Sequence, residues 1–299
     1  MSDAFHIPVL LHESVDALLV EKTGVFVDVT FGGGGHTRHI LDKINGDSRV
    51  IAFDRDPIVQ QHLPDDPRFT LVPWNYRHMK RMLRVAGISG VQGILADLGV
   101  SSHQFDAGER GFSFRNDAPL DMRMNPEAHV HAGHILSSAS AADLQQIFSD
   151  YAELRNARQL AMEIVASREL MPIRTTGDLM TIAEKVMKGE RHKYLAQVFQ
   201  ALRIAVNDEL ESLKEMLRDA ADVLSPGGRL VVITYHSLED RLVKAAFRNE
   251  STQDDITNMT GQREALYKVI TKKPILPGKE EMKRNSRATS AKLRVAERI

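Results

Sequence analysis

The chain has 299 residues, of which 42% are hydrophobic, a composition ordinary for one large globular domain or a domain carrying an insertion. It contains no cysteine, which excludes disulfides, thiolate nucleophiles and cysteine-ligated zinc. The formal net charge of −1 is unevenly spread: Lys268 to the end carries +7 and the rest −8, an asymmetry that points to a polyanionic partner, with a merely solvated segment as the alternative.

Met1-Ser-Asp-Ala-Phe-His6 has neither a basic segment nor a long apolar one, so no secretory signal is evident. No apolar run approaches the roughly 20 residues that span a bilayer. The expected location is the cytoplasm, with no membrane partner. Residues 6–20 start extended around Pro8 and then read as a helix with Val15, Leu18 and Leu19 on one face.

Val25 to Val29 is a β-branched run of the kind that forms a buried parallel strand. Gly32 to Gly35 follow at once, and Ile40, Leu41 and Ile44 then recur at helical spacing over 37–44. Strand, glycine turn, helix is how a doubly wound α/β sheet brings a ligand onto bare backbone. The dinucleotide pattern GxGxxG fits only in part, because its third glycine falls on Thr37. No Gly-Lys-Ser/Thr follows, so a P-loop is excluded. Asp54 ends the next strand, 49–54, where a carboxylate can accept both hydroxyls of a ribose. Together these suit an adenosine-containing cofactor with no required pyrophosphate, S-adenosylmethionine first; a plain glycine turn is the alternative.

Phe69 to Val72 reads as a third strand, ending in Pro73-Trp-Asn-Tyr76. Tyr76 is placed there to cover an adenine face or to pack as a half-buried loop aromatic. A helix through Met79, Met82 and Leu83 stops at Gly87. Val91 to Asp97 is the fourth strand, and a long glycine-rich loop follows through Arg115. Long loops in compact domains are usually functional.

From about 137 to 224 the pattern is helical, with helices expected over 141–170, 176–187, 195–204 and 207–224. Three or so of these interrupt the βα alternation and read as an inserted subdomain. The expected division is a sheet domain in two parts, 1–125 and 206–299, the second carrying the basic C-terminal segment, with an inserted helical substrate-recognition subdomain over 126–205. Arg229 to His236 is a strong fifth strand beside the fourth, and Tyr235 to Arg241 lies at its carboxyl end. A helix over 239–248 and two final strands, 268–272 and 291–296, follow.

The chain closely resembles the bacterial ribosomal RNA small subunit methyltransferase H family, also called MraW, over nearly its whole length. The resemblance rests on His6-Ile-Pro-Val-Leu10, Thr30 to His36, Phe53 to Pro57, Asp97 to Ser102, Glu109 to Phe114, Pro119 to Met124, Tyr235 to Arg241 and Asn285 to Arg298. It implies a class I S-adenosylmethionine-dependent methyltransferase, a Rossmann-like doubly wound sheet with an inserted helical subdomain. The implied reaction is methyl transfer to N4 of cytosine-1402 in 16S rRNA, near the decoding centre. The implied partner is 16S rRNA within a late 30S particle, with a homodimer left open. Tyr235 stands where many relatives carry Phe, and His103 where many carry Pro. By resemblance the cofactor contacts are Gly34, Gly35, His36, Asp54, Tyr76, Asp97 and Gln104.

Cytosine N4 is a poor nucleophile because its lone pair is delocalised into the ring. An acceptor for N4–H draws the nitrogen towards tetrahedral geometry and stabilises the developing charge. No metal is needed. Amino methyltransferases use a D/N-P-P-Y/F-like segment after the fourth strand; Asp97-Leu-Gly-Val100 takes that place without its prolines and aromatic. Asp97 is the expected catalytic residue. A stacking partner is then sought in Phe112, Phe114 or Tyr235, and His236 and Asp240 are further target-side candidates. His36 is read as a helix-start hydrogen-bonding residue ahead of a general base. Two other readings stand beside this one: an NAD(P)-dependent oxidoreductase, disfavoured by the broken GxGxxG, and a non-enzymatic RNA-binding assembly factor.

Overall fold

The computed structural model describes residues 8–100, 108–248 and 265–299. Its strands follow the short apolar runs. β1 (Val25–Asp28), β2 (Arg49–Phe53), β3 (Phe69–Val72) and β4 (Val91–Asp97) are each bounded by turn residues. β5 (Leu224–Thr234) takes in the Pro-Gly-Gly stretch expected to precede it. β6 (Tyr267–Val269) and β7 (Lys292–Arg298) complete the sheet. The order is β3-β2-β1-β4-β5-β7-β6. β1 to β5 are parallel, while β7 runs antiparallel to both β5 and β6.

The helices in chain order begin with α1 (Leu11–Leu18), α2 (Gly35–Lys43) and α3 (Met79–Val85). Then come α4 (Ala132–Ser138), α5 (Ala141–Ala152), α6 (Ala157–Leu170), α7 (Thr176–Val186) and α8 (Arg191–Asn207). α9 (Glu209–Val223), α10 (Ser237–Phe247) and the short α11 (Lys279–Arg284) follow. The chain divides into a sheet unit, up to Gly99 with Leu210–Ile299, and a helical unit, Val100–Glu209.

In the sheet unit successive residues of a strand face opposite sides. Val27, Ile51, Ile94 and Val232 pack with Leu213, Met216 and Leu217 of α9 and Val243 of α10. Phe26, Val50, Leu95 and Val231 pack with Val15 and Leu18 of α1 and Ile40 of α2 on the other side. Each such side chain, fully buried, contributes about 1.5–3 kcal/mol. From β1 the chain moves outward to β2 and β3, whereas β4 and β5 lie on its other side. That reversal leaves a crevice outside the carboxyl ends of β1 and β4, where ligands of open α/β sheets bind.

The helical unit starts earlier than the expected residue 126. The reason is packing: Phe112, Leu120, Met122 and Met124 belong to its core, with Leu136, Phe148, Leu160 and Leu202. The single helix expected over 141–170 is two. Glu153 adopts a left-handed φ of 51° and ends α5, and Leu154 turns into the core. The unit holds five helices among its described residues rather than three or so. Ser140 and Thr175 form capping boxes with Asp143 and Asp178.

Candidate active site

β1 ends in Asp28, a carboxylate with no exposed surface. Its oxygens accept from the Thr30 amide at 3.1 Å and the Thr37 hydroxyl at 2.7 Å. Burial pushes its carboxyl above the usual range, against the opposing pull of His36 nearby. The glycine turn follows. Gly34 has φ +73°, and a Cβ there would sit 2.7 Å from the Phe31 ring. A Cβ on Gly35 would sit 2.2 Å from the Pro8 ring, so both positions demand glycine. Gly34 is the N-cap of α2 and has no side chain with which to cap it, so the first amides of that helix are not satisfied from the N-cap position.

β2 delivers Asp54 to the same turn. One oxygen accepts the Gly32 amide at 2.8 Å and the other the Asp56 amide at 2.9 Å. A carboxylate has about four acceptor sites, so each oxygen retains capacity. Burial raises the Asp54 carboxyl to about 6, although both backbone amides oppose the shift.

β4 delivers Asp97. Its amide donates to the Thr30 hydroxyl oxygen at 2.7 Å, which ties the end of β4 to the turn after β1. Its Oδ1 accepts the Tyr235 hydroxyl at 2.6 Å. Its Oδ2 lies 3.8 Å from His36 Nδ1, and the Asp97 side chain keeps 20% of its surface exposed. His36 Nε2 is buried with no hydrogen-bond partner among the described residues. Burial first, and then Asp97, hold the Tyr235 hydroxyl protonated well above its ordinary pKa, so it is a donor throughout the working range.

Other sequence-derived candidates fall elsewhere. Tyr76 opens a short 3₁₀ turn after β3 and packs against the α9 side of the sheet core. His236 caps α10: its Nδ1 accepts the Glu239 amide at 3.4 Å, and Glu239 accepts the Tyr235 amide at 2.8 Å. Asp240 is not free to meet a target. It accepts from Arg294 Nε at 2.6 Å and lies 3.4 Å from Lys292 Nζ, so it clamps α10 to β7. Burial pushes its carboxyl up, yet Arg294 and Lys292 outweigh that push and hold it below the usual range.

Within the helical unit, Phe112 is 6% exposed and serves the core. Phe114 packs edge-on against His192 and Phe199 at 5.2 and 5.3 Å. Gln104 lies outside the described residues.

Asp28, Thr30, Thr37 and Glu239 were not singled out from the sequence. A charge closing an otherwise apolar strand was the available signal for Asp28.

The profile of the MraW methylase family matches residues 3–299. This chain belongs to that family. It is a methyltransferase. It is 48% identical over 296 residues to Ribosomal RNA small subunit methyltransferase H of Bacteroides fragilis, covering 98% of this chain and 97% of the relative. It is also 48% identical over 302 residues to the protein of that name in Parabacteroides distasonis, covering 99% and 98%. Among solved structures, Aeropyrum pernix fibrillarin with natively bound S-adenosyl-L-methionine matches with a TM-score of 0.41 at 11% identity, covering 96% of this chain and 73% of that one. That likeness is too loose to carry a residue assignment. In this chain His36, Asp97 and Tyr235 form one network beside the glycine turn, at the strand ends where ligands of open α/β sheets bind.

Proposed function

We propose that this methylase uses S-adenosylmethionine to methylate N4 of cytosine-1402 in 16S rRNA, near the decoding centre and within the assembled 30S subunit in the cytoplasm. The relatives' names support a small-subunit rRNA substrate. The features of the sheet unit suit the cofactor. The uncapped start of α2 offers amides to its carboxylate. Asp54 retains acceptor capacity for ribose hydroxyls. Gly34 and Gly35 let the backbone come close, and the orphaned His36 Nε2 offers one more polar contact.

When bound, S-adenosylmethionine supplies a methyl already activated by its sulfonium charge. The protein's task is to prepare the nitrogen. The observation that carries the assignment is the fixed Asp97 carboxylate. Tyr235 occupies one oxygen, so the other is presented in one orientation. That oxygen accepts N4–H, localises the nitrogen lone pair and stabilises the positive charge that develops as the N–C bond forms. The target base must be single-stranded or flipped from its stack to reach it.

The test is methyl transfer from labelled S-adenosylmethionine to 30S subunits lacking the modification, followed by nucleoside analysis. The expected product is N4-methylcytidine at one site. Another methylated nucleoside overturns the N4 assignment, and no transfer despite cofactor and subunit binding overturns the enzymatic reading.

A further inference from the structure

The excess positive charge of the C-terminal segment finds only partial employment within the fold. Lys292 and Arg294 serve Asp240, and Arg298 donates to the Ala221 and Leu266 carbonyls. Lys268 lies 3.5 Å from Glu297. Lys272 has no such employment among the described residues. It lines a groove of about 320 Å³ on the sheet unit, between α10 and the end of β6.

That groove has a consistent chemistry. Phe247 and Val269 form its apolar part, and Lys244, Arg248, Lys272 and Arg294 line the rest, Arg294 being already paired with Asp240. Among the described residues no carboxylate lines it. Asp240, the acid nearest through Arg294, is already matched by Arg294 and Lys292, so it does not cancel Lys244 or Lys272. Lys244, Arg248 and Lys272 are exposed at the rim. α10 links this groove to the site: it begins at Ser237, directly after Tyr235 and His236. At about 1.5 Å of rise per residue, Lys244 and Arg248 lie about 10–17 Å along the helix from that start.

We propose that this groove is a docking surface for the phosphodiester backbone of the substrate RNA, holding nucleotides that flank the target base. The proposal rests on the rRNA reading above. Lysines on a rim reach phosphates as point charges without reading bases. The apolar floor suits the sugar face of a strand. An acidic protein segment would satisfy the same charge, but the helix that bears Lys244 starts at the reacting centre, and the chain already acting there is RNA.

The experiment is equilibrium binding of the full chain to a single-stranded RNA fragment and to 30S subunits, titrated with salt. The variants are Lys244→Glu with Lys272→Glu, and the milder Lys244→Ala with Lys272→Ala. Lys22→Glu, in the loop before β1, is the control. The glutamate pair is expected to weaken RNA binding roughly tenfold or more, and the alanine pair to lower the log–log salt slope by about 1.4, which is two single-strand phosphate contacts. Cofactor affinity, measured in the same samples, stays unchanged and reports folding.

Wild-type RNA affinity and slope in both pairs overturn the proposal. Polyglutamate is titrated in parallel as an acidic-protein probe, and loss of its binding in the variants with RNA binding intact likewise overturns the proposal, making the occupant an acidic protein. Methyl transfer by the wild type separates the two levels. If it methylates and the variants do so with unchanged KM, the groove fails and the function stands. If it does not methylate, the rRNA reading fails, and the binding data still decide whether the groove holds RNA.

Discussion

The helical unit and the carboxyl end of the sheet treat buried polar groups in opposite ways. Among the described residues of the helical unit no buried side-chain nitrogen or oxygen lacks a partner. Asn207 donates to the Met122 and Arg203 carbonyls and accepts the Met124 amide. Asn156 donates to the Val186 carbonyl and the Tyr194 hydroxyl. Burial pushes the Asp121 carboxyl up, but Arg123 outweighs it and holds the group below its usual range. At the sheet's carboxyl end burial prevails instead: Asp28 and Asp54 are pushed up in spite of the amides bonded to them. His36 Nε2 has no partner there among the described residues. Polar groups so poorly compensated are costly where they serve only the fold. Arg229 Nε and the Tyr267 hydroxyl are also unpartnered among the described residues, but the gathering of Asp28, Asp54 and His36 at one crevice is what the proposed ligand site would use.

The comparison breaks most sharply at Asp97. Asp97→Asn keeps the shape and loses the charge. If the carboxylate serves the reaction, kcat for methyl transfer falls by about 10²–10³, while the unfolding midpoint barely moves. A variant that unfolds easily but still transfers methyl would put Asp97 with the polar groups of the helical unit. Tyr235 lends only one hydrogen bond to this carboxylate, so Phe at that place leaves the acceptor present but less firmly aimed.

Asp54 sharpens the comparison through pH. Its carboxyl titrates near about 6 in the folded chain against an ordinary value of 3.8. The folded state therefore binds more protons between those values. This group's contribution to stability falls as pH rises through that window and is constant above it. Ligand affinity runs the other way, because ribose hydroxyls donate best to the ionised form. Cofactor Kd is expected to weaken as pH drops through about 6. Asp54→Asn, which loses one amide acceptor and the charge, is expected to bind about tenfold more weakly or worse and to show a flat profile there. Calorimetric titration between pH 5 and 8 reads both, and a wild-type pH profile in the Asp54→Asn variant would remove Asp54 from the cofactor site.

Much of this was legible in the residues themselves. β3 and β4 coincide with the expected runs because buried parallel strands are short, apolar and sharply punctuated. The glycine turn and Asp54 could be paired because the second strand of such a sheet returns beside the first. What could not be read was direction. Asp97 and Tyr235 are 138 positions apart, and strand neighbourhood alone does not say that a hydroxyl rather than a ring face meets the carboxylate. Asp240 sits in the right stretch but turns to β7, whose antiparallel register brings Arg294 to it. Phe112 and Phe114 follow the fourth strand in sequence, yet the helical unit claims both for packing. The break at Glu153 has no glycine or proline to announce it.

The smallest effect tests the other side of the comparison. Ser140 caps α5: its hydroxyl oxygen accepts the Asp143 amide at 3.1 Å, and the Asp143 carboxylate accepts the Ser140 amide at 3.1 Å. Ser140→Ala removes the first of these and leaves the second. The expected cost is about 1 kcal/mol, the usual value of an N-cap side chain, and Ser140→Asp recovers most of it. Denaturant unfolding checks the loss. Cofactor affinity in the same variant is the discriminating readout, because a polar group that serves only its own helix end leaves the crevice untouched. A weakened cofactor Kd with the cap replaced would mean that the polar groups of the helical unit are not purely structural, and the division drawn between the two regions would fail at its simplest point.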